Sequence, residues 1–181
     1  MAKILVVHAS PRTHGNSAAL ADAFAEGAHG AGNEVHRIQI GHAHIGGCLA
    51  CEYCFKHGGA CVQQDDMQRY YPLMKECDTV VYAFPLYTYS YPAQVKAFMD
   101  RMFCAVGNPG LFGFRQAAIL VSFGDEDPHT ADGLVRSFEI LADYCHYRYL
   151  GAVLAHNVYA AGDIAGHPAL QQARELGESI S

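Results

Sequence analysis

Five short apolar runs, each followed by a segment of helical periodicity, leave this chain few ways to fold. Lys3 to His8 is a compact β-branched run, the pattern of a strand buried on both faces. Val35 to Ile40, Asp78 to Phe84, Ala117 to Phe123 and Leu150 to Ala160 are the next four strands. The intervening helices are expected over Ala18 to Gly30, Asp65 to Cys77, Pro92 to Phe103, around Leu134, Phe138, Leu141 and Cys145, and over Pro168 to Ser179. Pro72 marks a kink or a fresh start within the second of these. Strands that alternate with helices require right-handed crossovers and a parallel sheet covered on both faces. The expected fold is therefore α/β: a doubly wound five-stranded parallel sheet of order 2-1-3-4-5. With 181 residues it forms one domain over 1–181, and a cysteine-rich loop from Gly41 to Gln64 follows strand two.

Composition removes several function classes. The net charge is −6 and no stripe of Lys and Arg is present, so a nucleic-acid partner is not expected. The apolar run before His8 is too short for a signal-peptide core or a membrane span. The expected location is the cytoplasm. Seven cysteines, an odd count, then point to metal, redox chemistry or burial rather than a disulfide framework.

An open parallel sheet binds ligands at the carboxyl ends of its strands, beside the switch point that here follows strands one and three. The loop after strand one carries Ser10, Arg12, Thr13, His14, Gly15, Asn16 and Ser17 and runs straight into a helix. A helix N-terminus offers free N–H groups and the positive end of its dipole. Ser10 and Ser17 add hydroxyls, Asn16 an amide and Arg12 a charge, while Gly15 permits close approach. Together they predict a phosphate site. Neither the Gly-x-Gly-x-x-Gly nor the Gly-Lys-Ser/Thr pattern is present. Asn16 or Ser17 acting only as a helix cap is the bland alternative.

Ser-Pro-Arg-x-x-Gly-Asn-Ser after the first strand resembles the FMN phosphate loop of NAD(P)H-dependent FMN reductases and iron–sulfur flavoproteins, which share the flavodoxin-like fold. The resemblance continues through Pro85-Leu86-Tyr87-Thr88-Tyr89 and through Pro92 to Arg101. It implies that Pro85, Leu86, Tyr87 and Tyr89 touch the flavin and that Gly124, with Ser122 as a weaker candidate, approaches its ring. Tyr91 is expected to cover the core rim with its hydroxyl in solvent. The resemblance also implies FMN as cofactor, NAD(P)H as donor and a homodimer or homotetramer. Flavin carries such chemistry itself, so no catalytic side chain is expected.

Cys48, Cys51, Cys54 and Cys61 read Cys-x2-Cys-x2-Cys-x6-Cys. Three closely spaced thiols with a distant fourth suit a cubane better than zinc, which favours separated pairs. The spacing resembles the compact motif of iron–sulfur flavoproteins, although Val62 rather than proline follows the last cysteine. Related oxidoreductases keep such a segment before Asp-Asp-Met, here Asp65-Asp66-Met67, as free or redox-reactive thiols. Two functions stay open ahead of a third, a zinc-stapled binding module without redox work, which the loops after strands one and three make the weakest. One is an FMN oxidoreductase passing electrons to a quinone, flavin or other small-molecule acceptor. The other is an FMN and [4Fe–4S] carrier serving a ferredoxin-like protein. Cys77, Cys104 and Cys145 are read as buried apolar residues.

Overall fold

The computed structural model describes residues 1–181. Strands β1 (Lys3–His8), β2 (Glu34–Gln39), β3 (Thr79–Pro85), β4 (Gln116–Ser122) and β5 (Arg148–Ala155) form one sheet in the order β2-β1-β3-β4-β5. Every neighbouring pair is parallel. The order is the one the alternating pattern predicts, and it opens the switch point between β1 and β3.

The six helices are α1 (Asn16–Gly30), α2 (Tyr53–Lys56), α3 (Tyr71–Glu76), α4 (Ala93–Arg101), α5 (Asp132–Tyr144) and α6 (Pro168–Glu178). Successive side chains of a strand point to opposite faces, so each central strand feeds two cores. Leu5, Val7, Val80, Tyr82 and Phe84 face a core shared with α3, α4 and α5. Ile4, Val6, Val81 and Ala83 face a second core closed by α1 and α6. No helix is long and apolar enough to cross a membrane.

Several boundaries depart from the pattern by one or two residues, α1 starting at Asn16 rather than Ala18 among them, and three departures have a structural consequence. The segment from Asp65 to Cys77 divides into a 3-10 turn, Asp66–Arg69, and α3, which starts afresh with Pro72 in its first turn. The fourth helix ends at Arg101 and passes into a 3-10 turn, Met102–Ala105. β5 ends at Ala155, not Ala160. Beyond it Asn157 adopts a left-handed φ of 53° and donates its N–H to the Asp125 carbonyl, which takes the chain out of the sheet. An irregularity in the β4–β5 register between Ala117 and Ile119 lies opposite Gly151, whose φ of 116° L side chains rarely adopt.

Helices α1 and α6 cross with almost no space between their backbones. A Cβ on Gly27 would lie 2.0 Å from the Arg174 carbonyl oxygen, and one on Gly177 would lie 2.2 Å from that of Phe24. Neither obstacle is a side chain that can swing away. Gly27→Ala should therefore destabilise the protein by about 1–3 kcal/mol through overpacking, despite alanine's better helix propensity. A urea-unfolding midpoint no lower than wild type would contradict the tight crossing.

Candidate functional site

The chain leaves β1 at His8 and enters α1 at Asn16 through the loop that the sequence marks. Gly15 is the N-cap and supplies no side-chain cap. The backbone N–H groups of Thr13, His14, Asn16 and Ser17 find no partner within the chain. Unmet donors at a helix N-terminus are the feature an anion satisfies. Ser10 and Ser17 are buried beside them, while Arg12, Thr13 and His14 are exposed. The Ser10 hydroxyl accepts the Arg12 N–H at 3.1 Å. Behind the loop, a Cβ on Gly41 would meet the Ser10 carbonyl oxygen at 2.2 Å, so the end of β2 presses directly on it.

Asn16 behaves differently from the expectation. Its Nδ2 donates to the Ala160 carbonyl at 2.9 Å, and its Oδ1 accepts the N–H groups of Gly162 and Ile164 at 3.2 and 3.4 Å. The amide ties the segment after β5 to the start of α1, leaving only its backbone N–H towards an anion. Arg12 Nη1 donates to the Tyr159 carbonyl at 3.1 Å. Asp163 Oδ2 gathers the N–H groups of Tyr159 and Ala160 at 2.9 and 2.6 Å. Tyr159 is 80% exposed and stands against Gly124, where a Cβ would lie 3.1 Å from the tyrosine ring. Sequence reasoning missed this segment because β5 sits at the sheet edge, away from the switch point. The turn residues Gly162 and Asp163 were the available signal.

The loop after β3 lies beside the Ser10–Ser17 loop, because β1 and β3 are neighbours in the sheet. Pro85 ends the strand, and the Leu86 N–H donates to the Ser122 carbonyl at 2.9 Å. Tyr87 and Ser90 pair across Thr88 and Tyr89, which take positive φ values of 49° and 59°, as in a type I′ turn. That turn holds Tyr87 and Tyr89 outward, 45% and 69% exposed. Tyr91 instead packs on Phe84, with ring centroids 5.7 Å apart, and its hydroxyl is buried without a partner rather than solvated. A cavity of about 520 Å³ lies elsewhere, between α4 and α5 over the sheet. Its lining is mainly apolar, and it touches the cysteine loop only through Cys48 and Ala50.

All four cysteines of the loop are free. Together they line one small cavity, about 20 Å³, with Arg101 and Cys104. No three potential ligands are gathered as a single ion would require. Around one zinc, bonds of about 2.3 Å would bring thiolates to roughly 4 Å of each other. Arg101 is 2% exposed and bonds Asp65 Oδ2 and the Gly46 carbonyl through Nη1. Its Nε and Nη2 are buried and unpartnered. Burial works against the Asp65 charge, but Arg101 and the N–H groups of Gly46 and Met67 prevail and hold its carboxyl below the usual range. Burial, with the neighbouring thiols, pushes the Cys54 thiol up, although its own backbone opposes the shift. Four thiols beside a buried guanidinium with unmet donors fit, in donor chemistry, a sulfur-ligated anionic cluster. Cys77 and Cys104 are buried, as expected, and burial raises their pKa to about 11 and about 12; Cys145 is only half-buried.

A family model described as flavodoxin-like fold matches residues 2–178. The chain belongs to the flavodoxin-like family. An iron–sulfur flavoprotein of Archaeoglobus fulgidus is 34% identical over 131 residues, covering 72% of this chain and 59% of that one. One from Methanosarcina thermophila is 35% identical over 99 residues, 55% of this chain and 51% of that protein. The flavodoxin-like chain thus matches little more than half the length of these curated relatives. Among solved structures, the NAD(P)H:quinone oxidoreductase from Methanothermobacter marburgensis superposes with a TM-score of 0.75 at 17% identity, covering 99% of both chains. An FMN-dependent NADH-azoreductase from Bacillus anthracis in complex with FMN gives 0.71 at 15% identity, covering 98% of both. At such identities the likeness is one of fold.

Within this flavodoxin-like site, one histidine has a defined state. His8 is buried at the end of β1, with Nε2 3.3 Å from Ser17 Oγ and Nδ1 2.8 Å from Gln39 Nε2. Gln39 is oriented by the Gly41 N–H on its Oε1 and by its own bond to the Ser10 carbonyl. Gln39 therefore donates to His8 Nδ1, and His8 Nε2–H donates to Ser17, which leaves the Ser17 proton free for an anion. Burial first, and then the positive charge of Arg37, lowers the His8 pKa to about 4, with Asp22 opposing. The unfolded chain binds this proton more tightly, so stability falls as pH drops from about 6.5 towards 4. Wild type should lose on the order of 2 kcal/mol more than His8→Asn across that window in urea unfolding. Equal losses would contradict a neutral His8.

Proposed function

We propose that this chain is an FMN-dependent oxidoreductase that takes electrons from NAD(P)H and passes them to a quinone, a flavin or another small acceptor. The four unmet N–H groups at the start of α1, beside buried serines at the switch point, carry this reading. In it, Ser10, Gly15, Ser17 and the backbone of Asn16 hold the phosphate, Arg12 neutralises it, and His14 stands at the loop's exposed edge. Pro85, Leu86, Tyr87 and Tyr89 border the flavin ring on one side, with Ser122, Gly124 and Tyr159 on another. The flavin, when bound, supplies the electron-transfer chemistry. The protein's part is to hold the phosphate, orient the ring and leave one face open. The exposed Tyr87 and Tyr89 support a homodimer or homotetramer in which a neighbour covers that face. The free thiols support a reducing cytoplasm.

A second reading is an electron carrier with FMN and a [4Fe–4S] cluster serving a ferredoxin-like protein. The four cysteines around one cavity and the likeness to the two archaeal iron–sulfur flavoproteins favour it. An anaerobic preparation separates the two. A yellow, iron-free protein bleached rapidly by NADH or NADPH supports the reductase. Iron and sulfide at four per chain, with slow nicotinamide oxidation, support the carrier. Protein that binds no flavin at all overturns both.

A further inference from the structure

Arg101 holds more hydrogen-bonding capacity than its ion pair uses. It is the last residue of α4, 2% exposed, and both of its bonds leave from Nη1. A guanidinium carries five N–H donors. The three on Nε and Nη2 are buried and unmet. Buried polar groups in proteins are overwhelmingly partnered, so unmet donors on a charged side chain require an acceptor. Arg101 lines the same cavity as Cys48, Cys51, Cys54 and Cys61. The sulfurs there are short of donors: the bond they receive is the Ala50 N–H to Cys48 Sγ, at 3.5 Å. A residue with unmet donors and four sulfurs short of donors line one small space.

We propose that Arg101 donates to the sulfurs of the cluster held by these four cysteines and sets its reduction potential, with Asp65 as the opposing charge. This rests on the iron–sulfur reading of the site. Hydrogen bonds and positive charge beside such a cluster favour its more negative, reduced form and raise the potential. A carboxylate in the same place lowers it. Arg101 and Asp65 therefore act with opposite signs, whereas two partners of a purely structural ion pair would not.

The test reconstitutes full-length wild type, R101K, R101Q and D65N anaerobically with ferrous iron and sulfide. Iron, sulfide and FMN are counted per chain, and cluster potentials follow from an EPR-monitored titration. R101Q is expected to shift the midpoint negative, with about a tenfold fall in the reduced-to-oxidised ratio at the wild-type midpoint (about 59 mV for one electron). R101K keeps the charge and the Asp65 pair but loses the fork, so it should shift less in the same direction. D65N keeps an oxygen for Arg101 and should shift positive. If R101Q does not fold, R101K and D65N still carry opposite predictions. Clusters with unchanged potentials, or shifts of one sign, overturn the role of Arg101 and leave the iron–sulfur reading standing. Wild type that keeps FMN but takes up no iron and sulfide overturns both.

Discussion

Arg12→Glu should weaken FMN binding by about two to three orders of magnitude and leave the fold intact. A hydrogen bond to a charged group contributes about 1.5–3 kcal/mol, and reversing the charge adds repulsion against a phosphate. A total near 4 kcal/mol is roughly a thousandfold in affinity. Arg12 is exposed, and the bond to the Tyr159 carbonyl is its side chain's one hydrogen bond, so little stability depends on it. Flavin-fluorescence titration of the apoprotein with FMN and with riboflavin isolates the phosphate. Riboflavin lacks that group, so its weaker binding should change by less than a few fold. Equal losses for both ligands would place Arg12 against the ring. No loss for either would remove it from the site.

Asp65→Ala should cost about 3–5 kcal/mol, because it leaves the Arg101 guanidinium buried and unpaired. For a chain of this size that corresponds to a melting temperature lower by roughly 10 °C. The same carboxylate accepts the N–H groups of Gly46 and Met67 at 3.0 and 3.1 Å, so both ends of the cysteine loop loosen with it. Wild type should show the matching acid sensitivity. The folded Asp65 pKa lies below its unfolded value of about 3.9, so its contribution is complete above that pH. It is lost as pH falls through the folded value, where the paired carboxylate takes up a proton. Urea unfolding at pH 7 and at acid pH, for wild type and Asp65→Ala, measures both effects. A loss below about 1 kcal/mol at pH 7 would mean that the pair does not anchor the loop.

These two residues differ in how far the sequence exposed them. Arg12 stands in a string whose neighbours all suit an anion, directly after a strand, and local order is enough to find it. Arg101 follows Asp100 on a helix and reads as one more surface charge. Its burial depends on the packing of α4 beneath a loop that begins some sixty residues earlier in the chain. Asn16 is the intermediate case. Its place in the loop is legible, but its side chain faces residues 160–164, about 144 positions away. The spacing of a motif shows which groups are near one another along the backbone, not which partner each one takes.

The sequence alone determined the five strands, their order 2-1-3-4-5 and the position of the Ser10–Ser17 loop between β1 and α1. Each follows from short-range periodicity, and the handedness of βα crossovers leaves little choice in assembling them. Tertiary structure decided the rest. It ended β5 at Ala155 and brought Tyr159 over the loop. It turned the Asn16 amide inward and settled His8 as a neutral donor to Ser17. It also buried Arg101 beside four thiols with three donors unmet. Apart from the short step from His8 to Ser17, these are contacts between segments far apart in the chain, set by which surfaces meet once two cores close on opposite faces of the sheet, and no local pattern encodes that meeting.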